Sequence, residues 1–453
     1  MTESIEKPRT PDQLDTITQA LNGGMFVHVR RMLQQMRPGD VAWLLESSPS
    51  PSRKVLWQLI DPDEYGEILE ELSEEVRDGI IRLMAPEKLA AALEDMESDD
   101  LAYVLRDLPE QLFNQVLTQM DEQDRQRAQQ ALSYPEDTAG SIMNTEFITL
   151  RADVSIEVVL RYLRLHTELP EGTDTLYVVD QHNRLLGDIS LASLVVQDPA
   201  TRVDDAMDTQ VEAIPLTMSD TEVANLFERH DWLSAPVVDD DYRLLGRITI
   251  DDVVDIIREE GEHSMMGMAK MDDDEDTFAP VLTSARRRSI WLTVNLGSAL
   301  LAASVSNMFE ETLSQLATLA ILMTIVPSMG GIAGNQTLAL VIRGMAVGHI
   351  GDSNARWLLT KEALVGLFNG LLWAVMVAIV VSLWKGSWEI GLVLATAMFI
   401  NLSVAGLAGA AIPLVMRKLN IDPALAGSMA LTTITDIVGL FSFLGLSTLI
   451  LLH

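Results

Sequence analysis

The chain has 453 residues, with 66 Asp and Glu against 32 Lys and Arg, a formal charge of −34 and no cysteine. Such an acidic balance excludes a nucleic-acid binder, which needs basic stripes along the phosphate backbone, and it suits solubility and cation binding. The missing cysteines exclude disulfides, thiolate metal centres and a Cys nucleophile. From Arg286 onward there are 9 Lys and Arg and 7 Asp and Glu, so nearly all the negative charge lies upstream. A soluble acidic half therefore precedes a near-neutral apolar half. Met1 to Thr10 is polar and charged, and no cleavable signal is expected there.

Prolines recur at near-regular intervals, at Pro38, Pro62, Pro86, Pro109 and Pro135, and most are followed at once by acids, as in Pro62-Asp63-Glu64 and Pro86-Glu87. Proline at the first helical position with acids in the first turn marks a helix start. Ile80, Ile81, Leu83, Met84, Leu89 and Leu93 supply helical apolar spacing behind those starts. Residues 12–133 read as stacked helical repeats, or as an ordinary helical bundle with coincidental prolines.

Over residues 138–258 the period changes. Strand-like Thr175 to Val179 and Ala235 to Val238 each run into an acid, then into Leu185-Leu186-Gly187 and Leu244-Leu245-Gly246. Helical stretches are predicted at 155–165 and 220–229. The two copies (138–200 and 201–258) resemble a tandem pair of CBS domains, a small α/β module that often senses adenine nucleotides or ions. The second copy fits that module's Gly-x-x-Thr-x-x-Asp pattern at Gly246, Thr249 and Asp252, whose acid would meet a ribose. The first has Ser190-Leu-Ala-Ser193 and lacks the acid, which argues against ATP binding.

A connecting segment, 259–285, holds His263, Met265, Met266, Met268, Met271 and the acid run Asp272 to Asp276. The run reads as a solvated linker, or as oxygen ligands for a hard divalent cation.

Residues 286–453 read as five membrane spans, about Ser289 to Phe309, Thr312 to Ile342, Ala363 to Trp384, Ile390 to Met416 and Pro423 to Leu452, each longer than the roughly 20 residues a crossing needs. The second contains Pro327, Gly330, Gly331 and Gly334 and is predicted to be bent or broken. Arg286, Arg287 and Arg288 precede the first span, Arg343, Arg356 and Lys361 follow the second, and Arg417 and Lys418 follow the fourth. That asymmetry predicts a cytoplasmic N-terminal half and an external C-terminus. In the fifth span, Asp436 is the single charge. A carboxylate at mid-membrane costs roughly 2.5 to 3.5 kcal/mol on insertion scales and marks an ion or proton path.

The order of these parts, with Pro327-Ser-Met-Gly330-Gly331-Ile-Ala-Gly334-Asn335-Gln336-Thr337, Asp422-Pro423-Ala424 and Thr435-Asp436-Ile-Val-Gly439, resembles the MgtE family of bacterial magnesium channels and transporters. The resemblance covers nearly the whole chain. It implies a multidomain membrane protein: an α-helical repeat domain, tandem α/β CBS domains, a connecting plug helix over 259–285 and a five-helix transmembrane domain. It also implies an inner-membrane homodimer whose second and fifth spans line a pore. Asp436 from each subunit would face one hydrated Mg²⁺, with Thr432 helping to complete the shell and Asp422 at the inner mouth. Asp422 reads equally as an N-cap ahead of Pro423. Pro327, Gly334, Asn335 and Gln336 are expected to shape the pore, and Asn401 to join helices. Cytoplasmic Mg²⁺ would bridge Glu67, Asp99, Asp231, Asp252, Asp255 and Glu260 and hold the pore shut. Two further acids of the family fall on His263 and Ser264. The rival readings are transport of Co²⁺, Ni²⁺ or Mn²⁺, and a membrane-anchored sensor that conducts nothing. No P-loop, nucleophile elbow or His-Glu-x-x-His motif appears, so no enzyme is expected.

Overall fold

A computed structural model describes residues 10–94, 96–166, 169–269, 271, 275–351, 353–419 and 421–452. Asp272, Asp273 and Asp274 of the acid run lie outside the described residues. The chain forms two compact units, one of residues 1–258 with 274–280 and the other of 259–273 with 281–453.

The first unit opens with short helices from Thr10–Asn22 to Glu122–Ala131 around one apolar core. Pro38, Pro51, Pro62 and Pro86 stand at the first or second helical position of their helices, where a missing N–H loses nothing. Pro109 caps the helix Glu110–Gln119. Pro135 departs from the series. No helix starts there, and the chain turns while Arg106 donates to the Tyr134 carbonyl at 2.9 Å.

Two three-stranded sheets follow, β1 (Thr149–Arg151), β2 (Thr175–Val179) and β3 (Leu185–Ser190), then β4 (Ile214–Pro215), β5 (Ser234–Val238) and β6 (Leu244–Thr249). In each, the first strand runs parallel to the second and the third returns antiparallel with a bulge at the same place. Asp180 and Asp239 explain the acids that end the apolar runs. Each carboxylate accepts two backbone N–H groups of its own hairpin turn, letting Asn183 and Tyr242 take positive φ. Gly187 and Gly246 lie where another backbone crosses. A Cβ on either would meet the Asp208 or Asn144 carbonyl oxygen at 2.3 or 2.8 Å.

The second unit contains five helices long and apolar enough to span a membrane: Val281–Asn307, Ala317–Ala346, Ala355–Lys385, Trp388–Lys418 and Pro423–Leu451. Several begin before the apolar run, because helical hydrogen bonds continue through Arg286 or Lys361 as readily as through leucine. The second span is interrupted just ahead of Pro327 and runs on through its glycines. Backbone angles leave the helical region at Leu316, the helix stops again after Leu322, and a continuous helix then runs Ile325–Ala346. Pro327 sits in its first turn, and its ring excludes the preceding carbonyl from the ladder. The connecting segment is likewise not one helix. Its first part ends the helix Ile250–Met268, and its last residues already belong to Val281–Asn307.

Candidate metal centres

In the first unit, helix Ser98–Arg106 begins with Asp99 and Asp100, just after Glu97. Free N–H groups at a helix start favour acids there. Oxygens of Glu97, Asp99 and Asp100 lie within 4.8 Å of one another. Asp99 is 6% exposed, and both of its carboxylate oxygens are buried without a hydrogen-bond partner. Burial first, then repulsion from neighbouring carboxylates, drives these groups upward. Glu97 and Glu70 reach about 7, Asp100 about 8 and Asp252 about 6, while Asp99 stands well above the ordinary Asp range.

Few cations answer that charge. Arg77 lowers Asp100 somewhat, but its ion pair is with Asp107 at 2.9 Å and its guanidinium lies over Tyr103. Arg247 donates to the Glu146 and Glu171 carbonyls. Asp252 accepts from the hydroxyl and backbone N–H of Thr249 at 2.8 and 3.2 Å, a capping arrangement that fixes its carboxylate. A buried carboxylate without partners is the condition that a hard divalent cation relieves, by supplying charge and accepting oxygen ligands.

Of the sensor residues read from sequence, Asp99 and Asp252 meet here, in company with Glu97, Asp100 and Glu70, which the reading missed. Glu97-Ser98-Asp99-Asp100 at a helix start was the available signal. Glu67 is exposed and adds to the repulsion on Glu64 and Glu70. Asp255 is exposed, pairs with Arg258 at 3.1 Å and helps to raise Glu71. Asp231 is an exposed left-handed C-cap of helix Asp220–His230. Glu260 is half-buried in the other unit.

A cleft of about 280 Å³ between the two sheets is lined by Asp188, Asp208, Glu212, His230, Trp232 and Ser234. The His230 ring stacks on Trp232 at 4.9 Å. Burial, then Asp208 and Asp174, pushes Asp188 up to about 6. The aromatic wall suits a flat ring, and the carboxylates oppose a polyphosphate.

In the second unit Asp436 is half-buried at the middle of helix Pro423–Leu451, one turn after Thr432. The Thr432 hydroxyl donates to the Ser428 carbonyl at 2.8 Å, leaving its oxygen lone pairs as acceptors. Asn401, fully buried, donates to the Val326 carbonyl at 2.8 Å. Its amide fills slots left by Gly330 and Gly439, where a Cβ would lie 2.1 and 3.0 Å from the amide nitrogen. Asn401 thus ties the fourth span to the start of the second and to the fifth one turn from Asp436. Gly334 faces Leu431 of the fifth span, so it serves close helix approach. Asn335 is half-buried and Gln336 exposed.

Asp422 caps the fifth helix through Ala424 and Leu425 N–H at 2.9 and 3.2 Å. Its carboxylate also lies 2.9 Å from His263 Nε2. Gly267, one turn after His263, lets the same helix face approach Ala424.

Three comparisons bear on these arrangements. Residues 323–446 match the family described as divalent cation transporter, 36–137 the MgtE intracellular N domain, and 139–197 and 203–259 the CBS domain. The chain is 30% identical to "Magnesium transporter MgtE" of Thermus thermophilus over 96% of its own length and 98% of that protein. It is 33% identical to the protein of that name from Enterococcus faecalis over 70% of each. A solved cytosolic domain of the Mg²⁺ channel MgtE in complex with ATP matches 54% of this chain and 99% of that one, at 32% identity and a TM-score of 0.50. Five membrane-length helices, a CBS pair and a helical N domain in this order, with relatives of this extent, place the chain in the MgtE family of magnesium transporters.

Proposed function

We propose that this chain is a homodimeric Mg²⁺-selective channel of the bacterial inner membrane, held shut by Mg²⁺ bound to its own acidic cytoplasmic domains. Its parts are a helical repeat domain (12–133), two CBS copies (138–200 and 201–258), a connecting segment (259–285) and a transmembrane domain (286–453). The N-terminal half is cytoplasmic and the C-terminus external, in keeping with the basic flanks of the spans.

The observation that carries the gating reading is the partnerless Asp99 carboxylate among Glu97, Asp100, Asp252 and Glu70. Without a cation this group keeps its protons or, once ionised, repels itself and pushes its elements apart; with Mg²⁺ it draws them together. Glu67 and Asp255 extend the field at its edge, and Asp231 and Glu260 are weaker candidates. In the membrane, two Asp436 carboxylates and the Thr432 hydroxyls would hold a hydrated Mg²⁺, which dehydrates reluctantly and takes oxygen ligands through water. Asp422 lines the inner mouth, while Pro327, Gly334, Asn335 and Gln336 shape the second span beside it. The cleft's carboxylates oppose a polyphosphate and the first CBS copy lacks the ribose acid, which argues against ATP as a regulator.

Flux into proteoliposomes with each cation in turn is the test. Mg²⁺ entry that falls as internal Mg²⁺ rises supports the proposal. Equal or faster entry of Co²⁺, Ni²⁺ or Mn²⁺ reassigns the ion, and no flux leaves only a sensor.

A further inference from the structure

Glu362 is 3% exposed and is the only acidic or basic residue among the fully buried polar side chains of the described spans. It lies on helix Ala355–Lys385, at a tight crossing with the fourth span. A Cβ on Gly406 would meet the Glu362 carbonyl oxygen at 2.9 Å, and one on Gly366 would meet the Leu402 carbonyl oxygen at 3.0 Å. The backbone that carries Glu362 is therefore held against the fourth span. One carboxylate oxygen accepts from the Thr337 hydroxyl of the second span at 3.1 Å, and the other meets the Lys361 ammonium at 2.6 Å.

The two partners are held differently. Lys361 and Glu362 are consecutive and leave the helix on different faces, so the ammonium reaches the acid only by folding around the helix. The Lys361 side chain is 41% exposed against 4% for Glu362. The acid is buried while its cation stands at the mouth. Beside the pair opens a cavity of about 210 Å³ that both residues line, and whose polar lining adds Gln336 and Asn369. That volume holds an ion with several waters, each taking about 30 Å³.

Every uncharged donor facing this space is an amide or a hydroxyl, and the one acid is a carboxylate. Oxygen ligands select a hard cation. A single negative charge selects a monovalent one, because a divalent ion would leave a net charge in an apolar surround. We infer that Glu362, Thr337, Gln336 and Asn369 form a site for an alkali cation, Na⁺ or K⁺, in which the Lys361 ammonium is the tethered occupant and a free ion takes its place. Ammonium pulls Glu362 toward the mouth, and an ion within the cavity pulls Thr337 and Gln336 inward. Exchange between them thus acts on the helix that carries the Gly334-Asn335-Gln336 stretch.

Full-length protein in detergent tests this, with Asp436→Asn in every sample so that the mid-span acid contributes no binding. Radioactive Na⁺ binding and thermal unfolding are measured in Na⁺, K⁺ or choline chloride at one ionic strength. The parent should bind Na⁺ and unfold at higher temperature in Na⁺ or K⁺ than in choline. Lys361→Met, which removes the competitor, should raise the affinity about tenfold or more. Adding Glu362→Gln should abolish both responses. Should Lys361→Met fail to fold, the parent against Glu362→Gln carries the same comparison. Equal behaviour in the three salts, or Na⁺ binding that survives Glu362→Gln, overturns the assignment.

Discussion

Arg53 and Asp276, 223 positions apart, form an ion pair at 2.9 Å with each side chain more than nine-tenths buried. Arg53 Nε also donates to the Leu45 carbonyl at 2.9 Å, and the Asp276 N–H donates to Glu75. The stretch that leads into Val281 and the first span is thus anchored in the helical domain. Removing one member of a buried pair costs about 3–5 kcal/mol, because the other charge is left desolvated. Arg53→Ala should accordingly raise hydrogen exchange at residues 276–278 by two orders of magnitude or more, with little change in the CBS pair. Arg53→Lys should recover part of the protection, since lysine keeps the charge and loses the planar fork. Unchanged exchange in Arg53→Ala would show the anchor to be idle.

A second expectation concerns Asp436. Asp436→Ala should abolish Mg²⁺ flux while the purified protein keeps its elution volume and unfolding temperature, because deleting an intramembrane charge relieves a burial cost as it removes a ligand. Asp436→Asn retains an oxygen and should retain a small fraction of the flux. Near-normal Mg²⁺ entry in either variant would remove Asp436 from the path.

The acid group of the first unit ties stability to pH in a definite direction. Glu97 and Glu70 stand at about 7 and Asp100 at about 8, against ordinary values of 4.5 and 3.8. Between about pH 4 and pH 8 the folded protein therefore binds more protons than the unfolded chain, and its stability falls as pH rises through that window. The contribution is complete below the ordinary values and gone above the raised ones. Mg²⁺ requires the ionised carboxylates, so its stabilising effect should grow from pH 6 to pH 8. Unfolding temperatures at those two pH values, with Mg²⁺ and with chelator, check both trends. Glu97→Gln with Asp100→Asn should flatten them, and a wild type as flat as the variant would deny the group its role.

What was legible in the sequence is what period and charge encode. The two strand runs with their closing acids, the proline-led helices and the five apolar lengths all reappear as elements. The helices begin ahead of the apolar spans, at Val281 before Ser289 and at Ala355 before Ala363, because hydropathy reports the bilayer and not the hydrogen-bond ladder. The second-span break, expected from Pro327 with Gly330, Gly331 and Gly334, lies just ahead of Pro327. Glycines at 330 and 334 instead admit Asn401 and Leu431, a need set by partners distant in sequence. For the same reason Glu97, Asp100 and Glu362 passed unremarked. A carboxylate's burial is a tertiary property, and a surface acid carries the same letter.

The contact between His263 and Asp422 yields the last prediction. The MgtE resemblance puts an acid at the position held here by His263. In this chain a ring nitrogen lies 2.9 Å from the Asp422 carboxylate, so the pair forms without an ion. His263→Asp would set two carboxylates against each other at the start of the fifth span, a repulsion that a divalent cation between them would reverse. Packing of Gly267 on Ala424, which is unaltered by the substitution, keeps the two segments within reach. The variant should therefore show Mg²⁺-dependent protection of residues 424–427 from hydrogen exchange, steeper than in the wild type, and low protection in chelator. His263→Ala removes both the contact and the repulsion, and should lower protection equally with and without Mg²⁺. If His263→Asp keeps wild-type protection in chelator, the carboxylates do not oppose each other, and the contact between the two segments rests on helix packing alone.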